Sequence, residues 1–165
     1  MPTIADFNAA RPEAAAAILR PCLDVERWIS VIVEGRPYPA PAALVDAAQA
    51  AAHPLTRDEV DAALAHHPRI GDRAQGDSAE AGLSRGEQST LDLDSDVQTR
   101  LAAGNAEYER RFDRVFLIRA AGRTAPEILD QLNARLENDD ETEAGVVAQQ
   151  LREIAVLRLQ GAVSA

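Results

Sequence analysis

The sequence predicts an all-α fold, a single compact bundle of about eight helices, on three observations. Alanine, leucine, arginine and glutamate dominate and aromatic residues make up only 4% of the chain, a composition of strong helix formers. Apolar residues recur at i, i+3 and i+4 between capping signals, which is the period of a helix face. No hairpin dipeptide sits between alternating runs, so nothing points to a sheet. With 165 residues the chain has the size of one domain, and such a chain buries roughly 70% of the surface it exposes when unfolded.

A first helix is expected over residues 13–23, with Pro12 tolerated in its opening turn. Asp24 is placed to cap a second helix over 25–34, with Trp28, Val31 and Ile32 on its inner face. Gly35 stops it, and Pro37, Pro39 and Pro41 stiffen the connector to a third helix over 42–52 that ends at His53-Pro54. Thr56 and Glu59 form a capping box for a helix running to about His66, with Val60 and Leu64 facing inward. Pro68 pushes His67 out of helical geometry and onto a turn. Residues 71–82 read as a long polar loop, and Ser84 with Glu87 then opens another helix. Residues 95–111 continue helical. The run Val115-Phe116-Leu117-Ile118 fits either a buried extended segment or a helix end. Thr124 and Glu127 form a further capping box, for a helix carrying Ile128, Leu129, Leu132 and Leu136. The last helix, over 141–159, shows Val147, Leu151, Ile154 and Leu157 on one side.

The net charge of −10 and pI near 4.7 argue against nucleic-acid and anionic-membrane partners. A local basic pocket remains compatible with an anionic metabolite, since net charge does not describe one site. One cysteine, Cys22, excludes an internal disulfide and fits a reducing compartment. The opening MPTIADFNAARPE lacks a basic stretch followed by an apolar one, and no apolar run reaches membrane-spanning length. The expected location is the cytoplasm.

Three constellations could carry chemistry. In His66-His67-Pro68-Arg69-Ile70-Gly71, His67 is expected on a proline-stiffened turn, and histidine is the side chain whose unperturbed pKa lies near neutrality, which suits a proton donor. Equally, both histidines could simply favour a helix C-terminus. Ser84, Glu87 and Gln88 share one helical face, where a hydroxyl, an acid and an amide suit a urea-like ligand. The competing reading is that Ser84 and Glu87 only cap. In Ile118-Arg119-Ala120-Ala121-Gly122-Arg123, Arg119 can grip a carboxylate and the small residues admit a ligand close to the backbone. An internal salt bridge for Arg119 is the alternative. His53, His66 and His67 lack a metal-binding spacing, and no phosphate loop, nucleophile elbow or catalytic-cysteine context is present.

In order along the chain, HHPRIGDR, LSRGEQSTL, NAEYERRF, VFLIRAAGR, ILDQLNARLEND and QLREIAVLRL together resemble the decarboxylases of 2-oxo-4-hydroxy-4-carboxy-5-ureidoimidazoline (OHCU). The match runs from about Phe7 to Leu159, and Pro21-Cys22 and Trp28 fit it too. The resemblance implies an all-α, homodimeric enzyme without cofactor or metal, acting on a small ureide in urate breakdown and giving (S)-allantoin. It implies a catalytic acid at His67, shaped by Pro68 and assisted by Glu87. It also implies substrate binding by Ser84, Gln88 and the stretch Ile118, Arg119, Ala120, Ala121 and Gly122. Two features depart from the family pattern: Asp113 stands where glycine is common after the Arg-Phe pair, and residues 72–82 match weakly. Rival readings are a helical binding module without chemistry, a paralogue acting on a related ureide, and a metal-dependent hydrolase.

Overall fold

The computed structural model describes residues 1–72 and 76–165; residues 73–75, with the last position of HHPRIGDR, lie outside the described residues. Among the described residues there are nine helices: α1 (Ile4–Ala9), α2 (Pro12–Leu19), α3 (Glu26–Glu34), α4 (Pro41–Ala51), α5 (Arg57–Leu64), α6 (Ala79–Gln88), α7 (Ser95–Phe112), α8 (Ala125–Arg135) and α9 (Asp140–Ala162). They contain no strand, only an isolated bridge between Thr3 and Ser164. No helix among them is long and apolar enough to cross a membrane. The all-α expectation holds. The additional element is α1, opened by a capping box in which Thr3 is paired with Asp6 rather than with glutamate.

The chain divides into two compact units, residues 1–63 with 152–165 and residues 64–151. In the first, α3 packs against α2 and α4. Trp28, fully buried, donates its indole N–H to the Ala48 carbonyl at 2.9 Å, which removes the cost of burying that polar edge. The Thr56–Glu59 box forms as expected, with hydrogen bonds of 2.9 and 3.1 Å. Glu59 also holds Arg27 at 2.8 Å. Three expectations change here. Asp24 does not cap α3; its carboxylate pairs with Arg20 at 2.7 Å, and the cap position falls on Val25. Val31 is exposed, and Ile29 joins Trp28 and Ile32 on the inner face instead. Leu157 is likewise exposed, with Ala155 and Leu159 buried near it.

The second unit is built on a core of Leu101, Tyr108, Phe112, Phe116, Ile118, Ile128, Leu129 and Leu132, joined by Ile70 and Ala120. Helices α7 and α8 are in contact, and they meet at Gly104. A Cβ there would overlap the buried Leu132 side chain, so the close approach favours glycine. Helix α7 ends at Asp113 with φ 54° and ψ 38°, the left-handed conformation that glycine usually supplies and aspartate tolerates. Asp113 thus adopts here a conformation that a glycine would take without strain.

Candidate active site

The residues expected from sequence to form the candidate site lie on three segments of the second unit. The first is the turn after α5. His67 N–H donates to the Leu64 carbonyl at 3.0 Å, closing the last helical turn, and Pro68 then prevents continuation. His67 and Pro68 are half-buried, whereas His66 is exposed. Ile70 anchors the turn in the core. Arg69 donates to Glu109 of α7 through Nε at 2.5 Å and Nη2 at 3.1 Å, a two-pronged ion pair. Gly71 has φ +93°, a conformation open to glycine and strained for other residues.

The second segment is α6. It starts earlier than expected: Ser78, not Ser84, is the cap, its side chain accepting from Ala81 N–H at 3.1 Å. Ser84 therefore lies inside the helix, 3% exposed, and the capping reading of Ser84 and Glu87 is overturned. Ser84, Glu87 and Gln88 share a face by their spacing, with Glu87 and Gln88 half-buried. Gln88 Oε1 accepts the Gly71 N–H at 3.1 Å. That bond ties the end of α6 directly to the His67 turn.

The third segment is non-helical from Val115 to Ala120, which resolves the open choice for Val115–Ile118. Phe116, Leu117 and Ile118 are all buried. With no sheet partner, this backbone uses side chains: Leu117 O accepts from Arg135 Nη1 at 2.7 Å, and Arg119 N–H donates to Gln150 Oε1 at 2.9 Å. Buried backbone groups need such partners. Beyond it the chain reverses. Arg123 N–H donates to the Ala120 carbonyl at 3.1 Å, and Gly122 takes φ +78°. Arg119 is half-buried and its Nη1 reaches the Ala121 carbonyl at 3.3 Å. Ile118 and Ala120 belong to the same core cluster as Ile70, so the first and third segments rest on one hydrophobic base.

Several residues that hold the site were not singled out from sequence. Asn105 of α7, 4% exposed, donates Nδ2 to the Ile70 carbonyl at 3.0 Å. Its neighbour Tyr108 donates to Glu143 Oε1 at 2.5 Å, and Arg135 donates to the same oxygen at 2.8 and 2.6 Å. Burial, then the bond to Glu143, pushes the Tyr108 hydroxyl up and keeps it protonated. The NxxYxxRF pattern is thus a set of brackets: Asn105 on the turn, Tyr108 on the buried ion pair, Arg111 on the Asn138 carbonyl at 2.7 Å, and Phe112 in the core. A cavity of about 490 Å³ lies between the turn and α7, lined by Arg69, Ile70, Gly71, Leu101, Asn105 and Glu109 among others. Among the described residues, no group of three or more His, Cys, Asp or Glu converges as a metal site.

A family model described as OHCU decarboxylase matches residues 8–160. The uric acid degradation bifunctional protein of Bacillus sp. (strain TB-90) is 29% identical over 100 residues, which is 57% of this chain and 18% of that protein. Among solved structures, OHCU decarboxylase in the presence of (S)-allantoin superposes with a TM-score of 0.70 at 20% identity, covering 92% of this chain and 97% of the other. (S)-allantoin synthase gives 0.74 at 16% identity, covering 99% of this chain and 54% of the other. At these identities the structural likeness is one of fold. The chain spans less than a fifth of the bifunctional protein and about half of the synthase.

Proposed function

Because the chain belongs to the OHCU decarboxylase family, we propose that it is a carboxy-lyase converting 2-oxo-4-hydroxy-4-carboxy-5-ureidoimidazoline to (S)-allantoin. The observation that carries this reading is the family match across residues 8–160. The hydrogen bond from Gly71 N–H to Gln88 supports the assignment of residues, because it joins the two segments the chemistry needs.

The substrate holds its carboxylate and hydroxyl on one ring carbon, beside an imine carbon bearing the ureide. As the bond to the carboxylate breaks, its electron pair forms a double bond to the neighbouring carbon, and the imine nitrogen takes the displaced pair and a proton. A proton then adds to the ureide-bearing carbon while the hydroxyl proton leaves, giving the carbonyl of allantoin. The electron sink lies in the substrate, so the work left to the protein is orientation and proton delivery.

His67 is the group that delivers the proton, and its placement on a pinned turn restricts delivery to one face. Glu87 fixes the imidazole tautomer. Arg119 orients the carboxylate, and the small residues Ala120, Ala121 and Gly122 let the ureide approach the backbone. Ser84 hydrogen-bonds the ureide. With its carbonyl oxygen already on Gly71, Gln88 turns its amide nitrogen toward substrate and recognises an oxygen acceptor. The resemblance also carries a homodimer, which sedimentation would reveal as twice the 17.7 kDa chain, and a single cysteine, Cys22, suits the cytoplasm.

The test is circular dichroism of allantoin formation, with substrate generated in place from urate by urate oxidase and hydroxyisourate hydrolase. Adding the protein should produce a rapid (S)-allantoin signal. His67→Asn should lower the rate by about 10² to 10⁴, the usual worth of general acid–base help. A wild-type trace equal to the protein-free control would refute the activity. Near-normal turnover by His67→Asn would refute the role of His67.

A further inference from the structure

Asn105 and Gln88 hold opposite edges of one peptide group. The Ile70 carbonyl takes Asn105 Nδ2 at 3.0 Å, and the Gly71 N–H on the same peptide gives to Gln88 Oε1 at 3.1 Å. A peptide unit is planar and rigid, so two side-chain amides from α7 and α6 fix its tilt. That peptide stands three residues beyond His67. In between, Pro68 has a restricted backbone and Arg69 is held by Glu109 at 2.5 Å. Before it, His67 N–H is tied to Leu64. The backbone between the gripped peptide and His67 is thus held at several points.

Two further facts separate this from ordinary packing. Ile70 anchors the turn in the core, but the turn also borders a cavity of about 490 Å³ on the α7 side, so hydrogen bonds add to packing in fixing the tilt of the Ile70–Gly71 peptide. Among the described residues, Asn105 Oδ1 is buried and has no hydrogen-bond partner. An unpaired buried acceptor is a standing cost to the fold, and an apolar residue would avoid it. The amide is placed for what its nitrogen holds.

We propose that Asn105 is a positioning residue for the decarboxylation: through the Ile70–Gly71 peptide it sets the direction from which His67 delivers its proton. This rests on the assignment of His67 given above. The outcome it controls is not only rate but handedness. A turn that swings loses its single face of approach, so product should become less enantiopure.

The experiment measures kcat, KM and the enantiomeric composition of allantoin, after subtracting the spontaneous reaction, for wild type, Asn105→Ala, Asn105→Asp and His67→Asn. Thermal melts check folding. Asn105→Ala should lose about 10²-fold in kcat, the scale expected of a misplaced catalytic group, with KM nearly unchanged and a measurable share of (R)-allantoin. Asn105→Asp can donate to the Ile70 carbonyl only when protonated. Its rate relative to wild type should therefore climb as pH falls, while the Asn105→Ala ratio stays flat if that variant folds. A folded Asn105→Ala with wild-type kcat and enantiopurity, lower only in melting temperature, would overturn the proposal. Should Asn105→Ala not fold, a pH-independent ratio for Asn105→Asp would overturn it instead. His67→Asn separates the two claims. If it is inactive while the Asn105 variants are normal, only the positioning role fails; if it turns over normally, the His67 assignment fails and the positioning role falls with it.

Discussion

Gln88 is the residue to which the proposed function gives two tasks. Its oxygen holds the Gly71 N–H, and its nitrogen is assigned to substrate. Gln88→Glu keeps an oxygen for Gly71 but replaces the amide donor with negative charge. KM should rise about tenfold or more, the worth of one lost hydrogen bond, while the melting temperature stays near wild type. A shift in melting temperature with unchanged KM would place Gln88 in the scaffold alone. Part of this residue's setting was readable from sequence: the spacing of Ser84, Glu87 and Gln88 puts them on one helical face. What could not be read was where that helix begins. Ser-x-x-Glu at 84–87 has the pattern of a cap, and only the real cap at Ser78 frees Ser84 from that role. Asn105 was hidden for a different reason. Its partner is 35 residues away, and no local spacing encodes a contact at that distance. The NxxYxxRF pattern was the only signal, and it does not say which residue touches what.

Helix-scale features were legible where signals were local and strong. The boxes at Thr56 and Thr124 both form. Helix α1 was missed because it has six residues and its box uses aspartate. The non-helical segment before Ala121 was ambiguous because a short apolar run fits either state, and the side chains that satisfy its backbone lie far along the chain. One of them, Arg135, is 3% exposed and pairs with Glu143, 1% exposed, at 2.6 Å. Tyr108 and Asn138 share that carboxylate. Glu143→Gln would leave the buried guanidinium without its counter-charge, a change that costs about 3–5 kcal/mol. A urea melt should show it, with a lower midpoint and an unchanged slope. A midpoint equal to wild type would mean the ion pair adds nothing to stability.

At the scale of the whole molecule, charge governs the response to acid. Glu59 is held below its ordinary value of 4.5, first by its hydrogen bonds from Arg27 and against the opposing effect of burial. Asp6 and Asp139 are also lowered, each chiefly by a backbone N–H, from Thr3 and Thr142 respectively. A depressed folded-state value means these groups add stability above the unfolded value and lose it as pH falls through the folded one. The net charge of −10 acts the other way, since protonation relieves repulsion. Comparing wild type with Glu59→Gln tests the pair: their melting temperatures should differ at pH 7, begin to approach each other as pH falls below the ordinary value of 4.5, and meet only below the depressed folded-state value. A gap that persists in acid would assign the effect to packing. The segment from Val115 to Ala120 has a consequence of its own for behaviour in solution. Exposed, a β-branched and aromatic run with open amides and carbonyls is a template on which copies of a chain stack. Here Phe116, Leu117 and Ile118 are buried, and Gln150 and Arg135 occupy backbone groups that a foreign strand would seek. By occupying these backbone groups, Arg135 and Gln150 also oppose strand-like association of this segment.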